Sequence, residues 1–141
     1  MARIFKVLIV SISFIIVLQM LVNMAFPLAT PIVYPDTKDI ASVILTNNKD
    51  TSSAIEIETD SIDDIMQYIQ DAEPTRRWSV QDNPAAENYY TIKIKTATNQ
   101  YDFFVYDDGL QAYIERLYVG IYKVDRQLLE FIEDTIDTNR D

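Results

Sequence analysis

Twenty consecutive residues without a charge, Val7 to Phe26, constrain this chain more than any other feature. As a helix they would run about 30 Å, the thickness of one hydrocarbon core. Arg3 and Lys6 precede the run, and residues 1–26 contain no acid. Cations on the N-terminal flank are expected to keep that end in the cytoplasm and to send the remainder outside. A terminal run that is apolar on every side is rarely a core helix of a small domain. Residues 4–26 are therefore expected to enter the membrane, and residues 1–26 to be a transmembrane anchor or a signal peptide.

Cleavage separates those two outcomes. Val7–Leu18 alone would make the apolar centre of a signal peptide, but no small-x-small site follows it. A cut after Ala25 would place Asn23 where a small residue is wanted, and a cut after Ala29 would place Pro27 there. The expectation is an uncleaved single-pass anchor at the cell membrane, N-terminus cytoplasmic and C-terminal domain outside. Secretion after cleavage is the alternative.

Residues 27–141 hold ten cations against 22 acids, a net charge of −12. Phosphate backbones are bound by clustered positive charge, so no nucleic-acid partner is expected. The chain has no Cys and no His. That excludes thiol and Ser-His-Asp chemistry and the commonest zinc ligands. No metal site and no cofactor are expected. Carboxylate chemistry stays open, but no pair of acids at a telling spacing marks it.

Pro27, Pro31 and Pro35 cannot continue a helix, so residues 27–39 are expected to be an extended spacer before a domain at 40–141. Ile40–Thr46 and Ala54–Thr59 read as a hairpin around Asn47-Asn48-Lys49-Asp50. Ile62, Ile65, Met66 and Ile69 recur at helical spacing, so Ser61–Ala72 is expected to be a helix capped by Ser61 and closed by Pro74. From Tyr89 the pattern alternates through YYTIKIKTA, YDFFVYD and LQAYIERLY, three predicted strands with Asp108-Gly109 as a two-residue hairpin loop and Asn99-Gln100 taken as the preceding loop, so that Ile94 would face Val105. Val124–Thr138 is a second amphipathic helix, with Asp125 at its N-cap. The predicted fold is α+β: a small, mainly antiparallel sheet in the order β-β-α-β-β-β-α, both helices on one face.

Two stretches are candidates for function. Pro74–Asn88 has no periodicity yet carries Trp78, the sole tryptophan, and the Arg76-Arg77 pair. The meander places Ile94, Phe103, Val105 and Ile114 on a core face. Lys93, Lys95, Asp102, Phe104, Tyr106, Tyr113 and Glu115 fall on the other. Asp102 is expected opposite Glu115, a repulsive pair unless a cation intervenes. Half aromatic and half charged, this second face is either covered by the chain or a binding platform.

The loop PTRRWSVQDNP, the strand YYTIKI and the run YDFFVYDDGLQAYIERLYVGIYKV together resemble a domain-of-unknown-function family of small exported or membrane-anchored Firmicutes proteins. The resemblance spans about residues 74–124. It rests on Thr75, Arg76, Ser79, Val80, Asp82 and Pro84, then Tyr113, Ile114, Glu115, Tyr118, Gly120, Ile121 and Tyr122. Leu117 stands where many relatives are expected to have Pro, so the strand is expected to continue there. The resemblance implies location and fold but no activity. It suggests that Arg76, Asp82, Tyr113 and Glu115 form one polar network across the meander.

The binding residues to be weighed are thus Arg76, Trp78, Asp82, Phe104, Tyr106, Tyr113 and Glu115, with no catalytic set. The expected function is a non-enzymatic extracytoplasmic module for a protein, peptide or cell-envelope ligand. A carboxylate-based hydrolase or lyase, or the sensor ectodomain of a regulatory system, is the alternative.

Overall fold

The computed structural model describes residues 2–139, with side chains throughout except at residues 2, 3 and 51–53. Met1 of the expected anchor, the Arg3 side chain, and residues 140–141 of the expected domain lie outside the described residues. The apolar run forms one helix, α1 (Ala2–Ala25). From Ile4 to Ala25 it is long and apolar enough to cross a membrane or to act as a signal sequence. Every side chain in that stretch is exposed.

Beyond it lies an α+β domain. Its strands are β1 (Ile40–Asn47), β2 (Asp50–Glu56), β3 (Glu73–Pro74), β4 (Tyr90–Thr96), β5 (Gln100–Asp107), β6 (Ala112–Arg116) and β7 (Gly120–Val124). They form one sheet in the order β2-β1-β4-β5-β6-β7-β3, each neighbouring pair antiparallel. Helices α2 (Thr59–Gln70) and α3 (Arg126–Thr138) share one face. Ile65, Met66 and Ile69 from α2 meet Leu128, Ile132 and Ile136 from α3 over Val43, Ile92, Phe103 and Ile114 of the sheet. Full burial of each such side chain is worth about 1.5–3 kcal/mol, which makes this layer the main source of stability.

Asp125 caps α3 as expected, its side chain accepting from the Gln127 N–H at 2.9 Å. Ser61 does not cap α2. The Ile57 N–H is bonded to the Val43 carbonyl at 2.9 Å, so the chain turns directly off the sheet and the helix starts at Thr59, with Glu58 at the N-cap. The apolar stripe is unaffected, because the period and not the cap sets which residues face the core.

The meander keeps its predicted faces but not its predicted register. The β5–β6 loop contains four residues, so Asp107 faces Ala112 and Val105 faces Ile114. The Asp108 side chain takes the Leu110 and Gln111 N–H groups at 3.1 and 3.0 Å, and Gly109 adopts φ 88°. The β4–β5 turn is Ala97-Thr98, because the Thr96 hydroxyl accepts from the Asn99 N–H at 3.0 Å and pins the reversal there. Both slips are even-numbered, so no side chain changes face. They do re-pair the charges. Asp102 lies opposite Lys93, and Glu115 lies opposite Phe104 and Ile121.

Two strands escape the predicted order. The third predicted strand ends at Arg116, and the chain reverses into β7. Val119 N–H donates to the Arg116 carbonyl at 3.0 Å, and Tyr118, at the third turn position, has φ 62°. Only that central residue has positive φ, which is the pattern of a type II turn. Leu117 thus occupies the position where Pro is favoured, so the expected strand continuation is corrected to a turn. Leu117→Pro should raise stability by about 0.4–1 kcal/mol by restricting the unfolded chain. Chemical denaturation checks this, and a loss would show that the turn needs another backbone shape. The other addition is β3, which makes Pro74 an edge-strand residue against Tyr122 instead of a simple helix stop.

The proline segment is also corrected. Residues 29–35 lie along the helix-side face of the sheet instead of spanning free solvent. The Ala29 N–H donates to the Thr75 carbonyl at 2.8 Å, and Tyr122 OH donates to Thr30 O at 2.5 Å. Arg116 donates to Val33 O at 2.8 Å, Ile32 packs on the core, and Pro35 is buried. Prolines suit such a strip because they hold it extended with few N–H groups to satisfy.

Candidate functional site

The second face of the meander is covered over Tyr106, Tyr113 and Glu115, while Lys93, Asp102 and Phe104 are half-buried and Lys95 is exposed. Residues 75–89 cross it, and one carboxylate holds them down. Glu115, on β6, is 2% exposed. Its Oε1 accepts from Ser79 Oγ at 2.6 Å, and its Oε2 accepts from the Ala85 N–H at 2.8 Å and Tyr106 OH at 3.0 Å. Three donors from two loop positions and one strand compensate a charge that burial alone would make costly. Around this lock, Tyr106 and Tyr113 lie directly opposite each other with ring centroids 5.9 Å apart, and Ile121, Ala86 and Tyr89 complete an apolar pad. The Arg77 guanidinium sits 4.9 Å from the Tyr113 ring centroid, closing the pad from the loop side.

The environment also acts on the phenols. Burial, then the Glu115 charge and its hydrogen bond, push Tyr106 far above the usual phenol range, while Arg77 pulls the other way. Tyr122 is raised too, chiefly by burial. A raised pKa means that the fold favours the neutral phenol. The stability this contributes is complete below about pH 10, the unfolded value, and is lost as pH climbs above it. Urea midpoints should hold steady up to about pH 10 and fall beyond it, with a shallower fall in Tyr106→Phe. Ionisation of every tyrosine near pH 10 in a still-folded domain would contradict this.

The expected four-residue network is thus only partly assembled. Tyr113 and Glu115 share the covered face, but Arg76 and Asp82 go elsewhere. Arg76 reaches the end of α1, donating to Asn23 Oδ1 at 2.6 Å and to the Phe26 carbonyl. Asp82 accepts from Tyr118 OH. Phe104 is half-buried, edge-on to Tyr89 at 5.5 Å. Trp78 and Val80 are 62% and 67% exposed. Of the three partners of Glu115, Tyr106 was a predicted site residue, whereas Ser79 and Ala85 were not. Ser79 stood within the loop motif, but Ala85 contributes only its backbone, which no side-chain pattern reveals.

Elsewhere, a cleft of about 290 Å³ opens near Asn48, Tyr89, Tyr106 and Glu133, and one of about 500 Å³ between Asp64, Asp71 and Asp125. Carboxylates at the first are bonded to the protein itself: Glu133 accepts from Tyr90 OH at 3.3 Å and Asp107 pairs with Arg126 at 3.1 Å. Among the described residues, no three acids converge as metal ligands.

Sheet, helices and clamped loop together define a compact class: an α+β domain, one sheet face under two helices and the other under a loop fastened to a buried glutamate. The chain belongs to the DUF5301 family, whose model, described as "Domain of unknown function (DUF5300)", matches residues 28–123. The match takes in the proline segment, in line with its packing on the sheet. No curated protein matches the chain. It is similar to a protein from Ruminococcus gnavus solved by NMR, at 28% identity and a TM-score of 0.53, covering 65% of this chain and 89% of that one.

Proposed function

We propose that this chain is a membrane-anchored, extracytoplasmic, non-enzymatic interaction module. Its binding surface is the outer side of the 75–84 loop together with the β6–β7 turn, and its ligand is a protein, a peptide or a component of the cell envelope. The observation that carries the reading is a contrast within one loop. Ser79 and Pro84 are buried beneath it, yet Trp78 and Val80 project from it into solvent. Burying either side chain would gain about 1.5–3 kcal/mol, so leaving both exposed on a clamped, pre-ordered loop favours a partner. The anchor part is supported by the apolar run of α1 from Val7 onward and by Arg3 and Lys6, which precede that run in the first turns of the helix.

A photo-crosslinking amino acid at position 78 or 80, in cells making the full chain, tests the surface. One dominant adduct at both positions, absent when the probe is at Glu130 on α3, is expected. Identical, diffuse adducts at all three sites would refute the assignment. For the anchor, the mature protein is sequenced from its N-terminus; a chain beginning near residues 26–30 would refute it.

A further inference from the structure

We infer that the partner of this exposed loop is the lipid–water interface of the same membrane that α1 crosses, so that the domain lies on the bilayer instead of standing off it. This rests on the anchor reading above and names the occupant of that surface. The first observation is the tie between domain and helix end. Arg76 holds Asn23 and the Phe26 carbonyl, and Ala29, four residues past α1, sits against Gly120 so closely that a Cβ there would clash with its own. If Val7–Phe26 span the hydrocarbon, Asn23 and Phe26 mark its outer boundary. Trp78 is two residues from Arg76, within about 7 Å along the chain. The interfacial layer beyond the hydrocarbon is about 5–8 Å deep on each side.

The second observation is what the surface offers at that level. Trp78, Val80 and Tyr118 are all largely exposed, the last at 66%, and Tyr118 lies two residues from Gly120. Indole and phenol rings favour this layer because they combine an apolar body with a polar tip. The cations Arg76 and Arg77 adjoin Trp78, in a domain whose net charge is otherwise strongly negative. A protein partner would not require these residues to cluster at the end of α1. A bilayer would.

Trp78 is the sole tryptophan, so it reports directly. The full chain is placed in phosphatidylcholine nanodiscs whose acyl chains carry bromine at shallow or deep positions. Trp78 emission should be blue-shifted and mostly quenched, more by shallow bromine than by deep. A second reporter, Trp78→Tyr with Leu110→Trp, moves the indole to the β5–β6 loop at the opposite end of the strands and should be unquenched. Arg76→Ala should weaken Trp78 quenching while the chain stays with the discs. Unquenched Trp78 in a chain that co-elutes with the discs overturns the docking and leaves the anchor standing. A blue-shifted but unquenched Trp78 points to burial against protein, such as a second copy of the chain, and overturns it equally. A chain that elutes apart from the discs refutes the anchor itself.

Discussion

Replacing Glu115 by alanine is expected to destabilise the domain by about 3–5 kcal/mol, since each buried donor left without an acceptor costs about 1–3 kcal/mol. Three donors lose their acceptor at once: Ser79 Oγ, the Ala85 N–H and Tyr106 OH. The hydroxyls can rotate to other partners, but the Ala85 N–H cannot. Glu115→Gln should cost less, about 1–3 kcal/mol, because its carbonyl can still take the Ala85 N–H while its amide donates to Ser79. Urea denaturation gives the magnitudes. Hydrogen exchange gives the location, with protection lost first over residues 78–86. Equal losses for Ala and Gln would mean that the charge, not the acceptor geometry, holds the loop. A loss below about 1 kcal/mol in both would mean that the loop is held by its apolar contacts.

Gly120→Ala should cost about 1–3 kcal/mol, the usual penalty of forcing an extra carbon into a filled site. The added methyl would clash with Ala29 Cβ and approach the Tyr122 hydroxyl at 3.5 Å, so the proline segment must move away. Ala29→Gly in the same chain should recover most of that loss, since it removes the atom that clashes. The double-mutant cycle measures the coupling directly. Additive losses would show that residues 29–35 lie loosely on the sheet and act as the spacer expected from three prolines. Strong coupling would make them part of the folded unit, as the packing of Ile32 and Pro35 indicates.

Much of the fold was legible because two periodicities are local properties of the chain. The α2 and α3 stripes at helical spacing and the alternation of β4 to β6 name the buried face before any partner is known. Registers slipped by two and four residues without moving a single core residue, since parity alone assigns the face. The turns were less legible. Thr96 and Asp108 redirect them with side-chain hydrogen bonds, and Tyr118 takes positive φ, a choice that its residue type disfavours. The candidate site was legible in part. Glu115 and Tyr113 were placed on one face by alternation, whereas Arg76 and Asp82 found partners about 50 and 36 residues away in sequence.

By itself, then, the sequence determined the apolar α1, the two amphipathic helices, the core face of the meander and the exclusion of thiol and histidine chemistry. Each follows from composition or from a period of 2 or 3.6 residues, which neighbours along the chain enforce. Only the tertiary structure decided that the second face is closed over Tyr106 and Tyr113, that Glu115 is the fastening, and that Arg76 turns toward the end of α1 instead. Those outcomes depend on which distant segment reaches a buried charge with the right donors. Ser79, Tyr106 and a bare backbone N–H of Ala85 satisfied Glu115, so Arg76 was left outside, beside the end of α1.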